Sequence, residues 1–374
     1  MQLTDWGWND ELQQQFQSFQ SRSATPALGH EAPSAPRGLP LSPARIARED
    51  REAYLICTTA GLRLARVTGR LRHNAQSRAD FPAVGDWVIA DLPPGDGPAA
   101  IHAILPRRSL FARKAAGDNA DQQVLAANID TVFLVSGLDH DFNPRRIERY
   151  LTLAWESGAA PVIVLNKADV CTDLPARLAD VETVAFAVPI HAVSAQDGRG
   201  VADLLVYLKP GATAALLGSS GVGKSSLINA LLGEDRLRTA AVRADDSHGR
   251  HTTTHRELLL LPAGGVIIDT PGLRELQLWA TDDALAGAFA DIESLAADCR
   301  FRDCAHDTEP GCAIRAALSS GRLDAARYAS YVKLKRELAY LARRDDVVAQ
   351  AAEKERWKKL HLEGQKRMKA KRRW

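Results

Sequence analysis

The strongest constraint on the fold is a glycine-rich stretch near the middle of the chain, Gly218-Ser219-Ser220-Gly221-Val222-Gly223-Lys224-Ser225-Ser226. It fits the pattern G-x-x-x-x-G-K-[ST]. The apolar run 212–217 before it can form a buried strand, and the run 227–232 after it can open a helix. Strand, loop and helix N-terminus then form a phosphate cradle, because the loop amides converge on an anion and the helix dipole adds to their field. We expect residues 218–226 to bind a nucleotide, with Lys224 on its outer phosphates and the Ser225 hydroxyl on Mg²⁺.

Two motifs at predicted strand ends indicate which base is bound. Asn166-Lys167-Ala168-Asp169 follows the apolar run 161–165, and Val193-Ser194-Ala195 ends a later strand. Ligands of parallel sheets bind at the carboxyl ends of the strands. The Asp169 carboxylate can accept two hydrogen bonds from the N1–H and the exocyclic amine of guanine, a donor pair that adenine lacks. A backbone N–H of Ser194 or Ala195 could meet the guanine O6. These motifs predict a GTP site.

A fourth motif, Asp269-Thr270-Pro271-Gly272, follows the apolar strand 266–268. Asp269 is expected to hold Mg²⁺ through water, and the Gly272 N–H to contact the γ-phosphate. Each short motif is weak alone, whereas four at strand ends of one α/β segment are a strong joint signal. Their order is unusual, because the two base-recognition motifs precede the phosphate loop. A circular permutation explains this order, since reconnected strands can keep the same ligand-binding edge.

The pattern of the chain predicts a multidomain protein with three folded parts. Residues 1–46 read as a short amphipathic helix capped near Asn9 and a flexible linker. Residues 47–110 contain four or five short β-type runs, which predict an OB-fold barrel. Residues 111–280 alternate strands and helices, with the apolar run 184–189 read as strand, and form the permuted GTPase domain. Residues 281–345 read as helical, with one face marked by Tyr331, Leu334, Leu338 and Leu341, and residues 346–374 are a basic tail.

A compact group of metal-ligand residue types lies in the helical part: Cys299, Cys304, His306 and Cys312. Three thiolates and one imidazole are the ligand set of a closed, four-coordinate structural zinc site. Such a site has no open coordination position, so we do not expect this zinc to be catalytic. The alternative is three unrelated cysteines and an unrelated histidine. Cys57 and Cys171 are interpreted as bystanders, and five cysteines in 374 residues do not make a disulfide framework.

Charge is distributed unevenly along the chain. The formal net charge is +2, but residues 351–374 hold ten Lys/Arg and three Glu, so the remaining residues sum to −5. Such a tail suits an anionic polymer at one end of the molecule. For the tail, both RNA contact and simple exposure to solvent stay open. For the barrel, the arginines could form an oligonucleotide-binding surface or a solvated strand face; they are Arg63, Arg66, Arg70 and Arg72. With no long apolar run and no signal-peptide core, we expect no membrane association and a cytoplasmic location.

The chain also contains the stretches Gly249-Arg250-His251-Thr252-Thr253-Thr254 and Asp269-Thr270-Pro271-Gly272-Leu273. With the permuted motif order, the OB-like part and the Cys/His cluster, they resemble the RsgA (YjeQ) family of small ribosomal subunit biogenesis GTPases over about residues 45–345. The resemblance implies slow hydrolysis of GTP to GDP, stimulated by the small subunit late in its maturation, by a monomer that contacts 16S rRNA.

The resemblance also implies a catalytic residue. Leu273 occupies the position where ordinary small GTPases place a glutamine that orients water. The family's candidate for this task falls on His251, and one threonine of 252–254, for which we choose Thr253, would complete the Mg²⁺ shell. His251 could instead contact RNA or lie in a solvated loop, and His248 and His255 are close enough to be confused with it. Two rival functions stay open: a P-loop ATPase or kinase, and an RNA-binding assembly scaffold that uses GTP as a structural ligand.

Overall fold

The structure is a computed structural model that describes residues 2–24, 40–50, 53–95, 97–114, 122–185, 187–237, 256–269 and 282–339. Its strands are β1 (Leu41–Glu49), β2 (Tyr54–Thr58), β3 (Gly61–Val67), β4 (Trp87–Asp91), β5 (Ala99–Ile104), β6 (Leu110–Lys114), β7 (Gln122–Ala127), β8 (Thr131–Gly137), β9 (Ala160–Asn166), β10 (Ile190–Ala192), β11 (Thr213–Leu217), β12 (Glu257–Leu260) and β13 (Val266–Asp269). Its α-helices are α1 (Asp10–Ala24), α2 (Gly69–Asn74), α3 (Pro144–Ser157), α4 (Leu174–Glu182), α5 (Lys224–Leu232), α6 (Asp282–Ala288), α7 (Ala290–Ala297), α8 (Ala313–Ser319) and α9 (325–339). Short 3₁₀ helices cover Leu3–Trp6, Arg78–Asp80 and Val201–Tyr207.

Strands β1 to β5 close into the predicted OB-like barrel. Strand β1 pairs with both β2 and β4, β3 runs parallel to β5, and β4 pairs with β5. The barrel begins at Leu41, so the predicted boundary at residue 47 was too late. The segment looks like a linker because it contains Pro43, but its register is fixed by pairing with β4, Leu41 opposite Asp91 and Pro43 opposite Ile89. Composition alone does not reveal such non-local pairs.

The predicted N-terminal helix forms and packs on the barrel. Asn9 caps it as predicted, since its Oδ1 accepts a hydrogen bond of 3.0 Å from the Leu12 amide. Leu12 and Phe16 are buried on one side of the helix. The Trp8 ring lies edge-on to the ring of Trp87, with centroids 4.9 Å apart, which joins the N-terminal segment to β4.

A buried arginine ties the barrel to the sheet that follows it. Arg45 of β1 is 1% exposed and donates to the Gly85 carbonyl (3.2 Å), the Asn128 carbonyl (3.2 Å) and the Thr213 hydroxyl (2.9 Å). Burial lowers the pKa of Arg45 to about 10, because the charged form loses solvation. The hydrogen bonds to Asn128 and Thr213 fix the barrel against the start of β11, the strand that leads into the phosphate loop.

The central sheet places β10, β9, β8, β11 and β13 in parallel order, with β12 antiparallel beside β13. Both faces are covered, and side chains of β8 alternate between them: Val132 and Leu134 pack on one face, and Phe133 and Val135 on the other. All five parallel strands end at one edge. This edge receives every loop that carries a predicted nucleotide motif and lies within the described residues.

The described residues of the apolar run 184–189, namely 184–185 and 187–189, do not form the expected strand, and β10 begins only at Ile190. Val184 and Val188 are buried as a loop beside the C-terminal helices, and the Val184 carbonyl lies 3.5 Å from Arg327. A buried loop and a buried strand cannot be distinguished by composition here, because both place apolar side chains in the core.

Four helices, α6 to α9, make up the predicted helical part, with a non-helical segment at 298–312. Tyr331, Leu334 and Leu338 are buried along one face of α9, as their spacing predicts, whereas the fourth member of that pattern, Leu341, lies outside the described residues. Over the part of the chain that is described, the helices are too short or too polar to cross a bilayer.

Candidate functional site

The phosphate loop joins β11 to α5 in the predicted strand–loop–helix arrangement. Lys224, the first residue of α5, points its ammonium group back over the loop, with Nζ 2.7 Å from the Gly218 carbonyl and 2.6 Å from the Ser219 carbonyl. Two glycines are sterically required: a Cβ on Gly218 would lie 2.3 Å from the Val135 carbonyl, and one on Gly223, at φ +90°, would lie 2.3 Å from Asn166 Nδ2. The loop can pass this close to its neighbours only because these positions lack side chains.

Asn166 joins three of the predicted motifs. Its side chain is buried at the end of β9. The Nδ2 group donates to the Val222 carbonyl of the phosphate loop (2.9 Å), and Oδ1 accepts from the Ala195 amide (3.0 Å). Both polar ends of the amide are therefore engaged by protein. The sequence predicts that Asn166 is a nucleotide ligand, and the structure shows that its side chain also holds the Ala195 loop against the phosphate loop.

The rest of this motif projects from the same sheet edge. Lys167 has a positive φ of 65° and extends its Nζ to within 2.6 Å of Asp139 Oδ2, while the Ala168 amide donates to the Val193 carbonyl (3.0 Å). Asp169 is exposed, so its carboxylate faces solvent beyond the strand end. Ser194 is fully buried, and its hydroxyl accepts from the Asp197 amide at 3.2 Å. A carboxylate and the Ala195 backbone thus lie at the edge where a base could bind.

The loop after β8 contributes residues that sequence reasoning missed. The Ser219 hydroxyl donates to Asp141 Oδ2 (2.7 Å) and accepts from Arg146 Nη1 (2.8 Å), and Arg146 also binds Asp141 (2.6 Å). Partial burial raises the pKa of Asp141, but hydrogen bonds from Arg146 and Ser219 outweigh it and lower the pKa below its usual value. Lys167 has the same net effect on the pKa of Asp139. A charged loop after a buried parallel strand was the available signal, since ligands gather at such ends.

The predicted Mg²⁺ ligands that are described lie together at this edge. Ala215 of β11 pairs with Ile268 of β13 in parallel register, so Asp269 ends its strand beside the start of the phosphate loop. Ser225 lies in the first turn of α5, half-buried. A hydroxyl and a carboxylate oxygen are donors that suit a small hard cation such as Mg²⁺. The remaining predicted residues His251, Thr253 and Gly272 lie outside the described residues.

A second site lies in the 298–312 segment, where the four predicted metal ligands converge. The nearest ligand atoms of Cys299, Cys304, His306 and Cys312 all lie within 4.8 Å of one another. His306 Nδ1 is 3.6 Å from Cys299 Sγ and 3.5 Å from Cys312 Sγ, and those two sulfurs are 4.0 Å apart. Tetrahedral zinc with ordinary bond lengths of about 2.3 Å to sulfur and about 2.1 Å to nitrogen would separate its ligands by roughly 3.6–3.8 Å. The residues therefore fit one tetrahedral ion.

Backbone geometry brings these ligands together within 14 residues. His306 adopts φ +62°, and Gly311, at φ +76°, lets the chain turn so that its carbonyl accepts from the Arg300 amide at 3.2 Å. Cys312 then opens α8, with Sγ accepting from the Arg315 amide at 3.5 Å. The turn at Gly311 therefore directs the chain back to the last ligand.

Comparison with known proteins agrees with this architecture. The family model described as "RsgA GTPase" matches residues 104–279. The chain is 50% identical to the small ribosomal subunit biogenesis GTPase RsgA of Opitutus terrae, covering all of both chains. It is 47% identical to RsgA 1 of Oceanobacillus iheyensis over 86% of this chain and 92% of that one.

Among solved structures, YjeQ from Thermotoga maritima superposes with a TM-score of 0.61 at 27% identity, covering 80% of this chain and 99% of that one. YloQ, described as a circularly permuted GTPase, superposes with a TM-score of 0.59 at 23% identity, covering 80% and 96%. At this identity, the YloQ match shows the fold alone. The permuted order is seen in this chain itself, because residues 166–169 and 194–195 precede the phosphate loop at 218–226. The chain belongs to the RsgA family of circularly permuted GTPases.

Proposed function

We propose that this protein binds the small ribosomal subunit late in its maturation and hydrolyses GTP to GDP and phosphate in response. One observation carries the nucleotide part of the proposal: Asn166 connects the base-recognition loops to the phosphate loop at a single sheet edge. Asp169, the carboxylate that would select guanine, is exposed in the loop that follows Asn166. The names of the most similar relatives, which describe small ribosomal subunit biogenesis GTPases, support the subunit as partner. A role on ribosomal subunits places the protein in the cytoplasm.

In this proposal the chain's residues act on the nucleotide mainly through charge and position. The Lys224 ammonium group, which donates to the Gly218 and Ser219 carbonyls, would also contact the outer phosphates, and the loop amides would face the transferring phosphoryl group. Asp169 accepts the two guanine donors. Ser225 and Asp269, with Thr253, would hold Mg²⁺, which neutralises charge that develops on the phosphates.

Attack by water needs a further group, which we assign to His251. An imidazole can orient a water molecule or accept its proton near neutral pH. Gly272 would offer its N–H to the γ-phosphate. These two assignments rest on the motifs around residues 249–254 and 269–273.

The Cys/His cluster would hold one zinc ion as a structural centre. Three thiolates and an imidazole complete its coordination, so the ion would stabilise the 298–312 segment without binding substrate.

Contact with 16S rRNA is assigned to the barrel and the basic tail. Arg66, Arg70 and Arg72 are exposed on β3 and α2, as phosphate contacts require. Arg63 is not part of this surface, because its guanidinium donates to the Pro93 carbonyl (3.0 Å) and the Gly97 carbonyl (3.2 Å) of the β4–β5 connection. The barrel arginines therefore divide between a structural and an RNA-facing role.

The decisive experiment measures GTP turnover by the isolated protein with and without purified small ribosomal subunits. The proposal expects slow basal turnover and a marked increase with subunits, while ATP is not hydrolysed. Binding of GTP and subunits without turnover would favour a scaffold that uses GTP as a structural ligand. Equal turnover with and without subunits would contradict the stimulated reaction. His251→Ala at the wild-type rate would contradict the role of that histidine.

A further inference from the structure

Helix α3 carries three arginines that reach two different parts of the molecule. Arg146 faces the phosphate loop and binds Asp141 and Ser219. Arg149 faces α9 and makes a two-pronged ion pair with Glu337, with nitrogen–oxygen distances of 3.1 and 2.9 Å. Arg145 binds Glu148 (2.8 Å) and also Asp324, just before α9. One rigid helix therefore contacts the nucleotide edge and the metal-bearing helical region at the same time.

At the phosphate-loop end, the contact is a closed triangle. Ser219 Oγ, Asp141 and Arg146 are mutually hydrogen-bonded at 2.6–2.8 Å. The carbonyl of the same serine accepts from Lys224 Nζ at 2.6 Å. Lys224 Nζ has three donors, of which the Gly218 and Ser219 carbonyls accept two, so a phosphate that binds this ammonium group shares it with the Ser219 backbone. Ser219 therefore contacts the phosphate-binding lysine through its backbone carbonyl and Arg146 through its side chain.

At the other end, the ion pair between Arg327 and Glu148 is buried. Arg327 of α9 is 4% exposed, and its guanidinium binds Asp291 of α7 twice (2.6 and 2.8 Å) and Glu148 of α3 at 2.9 Å. Glu148 is fully buried, and both Arg145 and Arg327 bind its Oε1 atom. Displacing one partner would leave a buried charge uncompensated, which is strongly unfavourable. The C-terminal helices must therefore follow a movement of α3 or change partners together.

We propose that α3 couples the phosphate loop to the C-terminal helical region, with Arg146 acting as a positioning residue for Ser219 and the Arg149–Glu337 pair as the adjustable contact. Coupling of this kind is reciprocal: if a bound nucleotide favours one arrangement of α9, that arrangement of α9 increases the affinity for the nucleotide by the same free energy. The inference rests on the proposed function only in that the loop binds a guanine nucleotide. It needs no ribosomal subunit.

The test is a charge swap measured on the isolated full-length protein. Arg149→Glu and Glu337→Arg are each compared with the double variant, and the Kd values for GDP and for a non-hydrolysable GTP analogue are determined by fluorescence. Each single variant places like charges together, and we expect it to change the ratio of the two Kd values by about 5-fold or more. The double variant restores the pair and returns the ratio to within about 2-fold of wild type.

A matched control is Arg48→Glu, because the Arg48–Asp50 pair on the barrel has similar exposure, 37% and 30% against 34% and 31% for Arg149–Glu337. It should leave both nucleotide Kd values unchanged. Thermal melting shows whether each variant is folded. If Arg149→Glu has a lower melting temperature than wild type, Arg149→Gln is used in its place. Unchanged ratios in the folded single variants, or no restoration in the double variant, would overturn the proposal.

A second measurement examines Arg146 directly. The Kd for GDP is measured for Arg146→Ala, for Ser219→Ala and for the double variant, which together make a double-mutant cycle. If Arg146 acts by positioning Ser219, the double variant binds GDP no more weakly than the weaker-binding single variant. Strictly additive losses would show that the two side chains act independently. Because no subunits are present, these outcomes are distinct from a failure of subunit-stimulated turnover.

Discussion

The nucleotide edge and the Cys/His cluster are assembled in opposite ways. The cluster collects four ligands from 14 consecutive residues, and its geometry depends on local turns such as that at Gly311. The nucleotide edge collects residues from the ends of β8, β9, β11 and β13, between residues 139 and 269, and joins them by hydrogen bonds across 29 to 78 positions of sequence. A local site should fail as a unit when one ligand is lost, whereas a distributed site should weaken according to which contact is removed.

The largest effect is expected at the cluster. Cys304→Ser removes one of four ligands and should reduce bound zinc from one ion per chain to almost none. Structural zinc in small sites contributes roughly 10–16 kcal/mol of apparent binding free energy, so the C-terminal helices should also melt at lower temperature. Elemental analysis and thermal melting measure both effects. Cys171→Ser, in the α/β domain, is the control and should keep its metal. Full zinc content in Cys304→Ser would contradict the ligand assignment.

At the nucleotide edge, Lys224→Ala should cost the most. The variant loses the cation that faces the outer phosphates, and GTP turnover should fall by about 10²–10³-fold. Steady-state phosphate release measures the change. Lys209→Ala, an exposed lysine before the opposite end of β11, should turn over GTP at the wild-type rate. Equal losses in the two variants would indicate a nonspecific effect of charge.

Asp169→Asn should change the base that is preferred. The amide cannot accept both guanine donors, and GTP affinity should fall roughly 10- to 100-fold while affinity for a xanthosine nucleotide rises. Competition binding with GTP, xanthosine triphosphate and ATP reads out the preference. Asp180→Asn, on α4 after the same loop, should leave it unchanged. A variant that still prefers GTP would exclude Asp169 as the selector.

The smallest effect is a pH dependence of stability. The folded pKa of Asp141 lies below its ordinary value of about 3.9, so its pairing stabilises the protein fully above that value. This contribution is lost as the pH falls through the folded pKa. The difference in melting temperature between wild type and Asp141→Asn should therefore be constant near pH 6 and shrink below about pH 4. Asp203→Asn, an exposed control, should track wild type. A difference that grows on acidification would contradict the assigned direction.

The sequence predicted most strongly those features that depend on consecutive residues. The phosphate loop, the cap at Asn9, the buried stripe of α9 and the metal-ligand group each occupy one short stretch, and local backbone rules determine their shape. The OB-like barrel was predicted from strand periodicity, but its predicted boundary at residue 47 lies six residues after the start of β1. Its true start at Leu41 depends on pairing with β4, about 50 residues away in sequence.

By itself, the sequence determined the class of ligand, the family and the permuted order, because each of these depends on short motifs whose residue types and order are visible in the chain. Only the tertiary structure decided which residues meet at the phosphate loop. It showed that Asn166, a predicted nucleotide ligand, also links the loops, and it brought Asp141 and Arg146 to Ser219. The reason is physical: a parallel sheet gathers strand ends that are distant in sequence, and hydrogen bonds between those ends have no local signature.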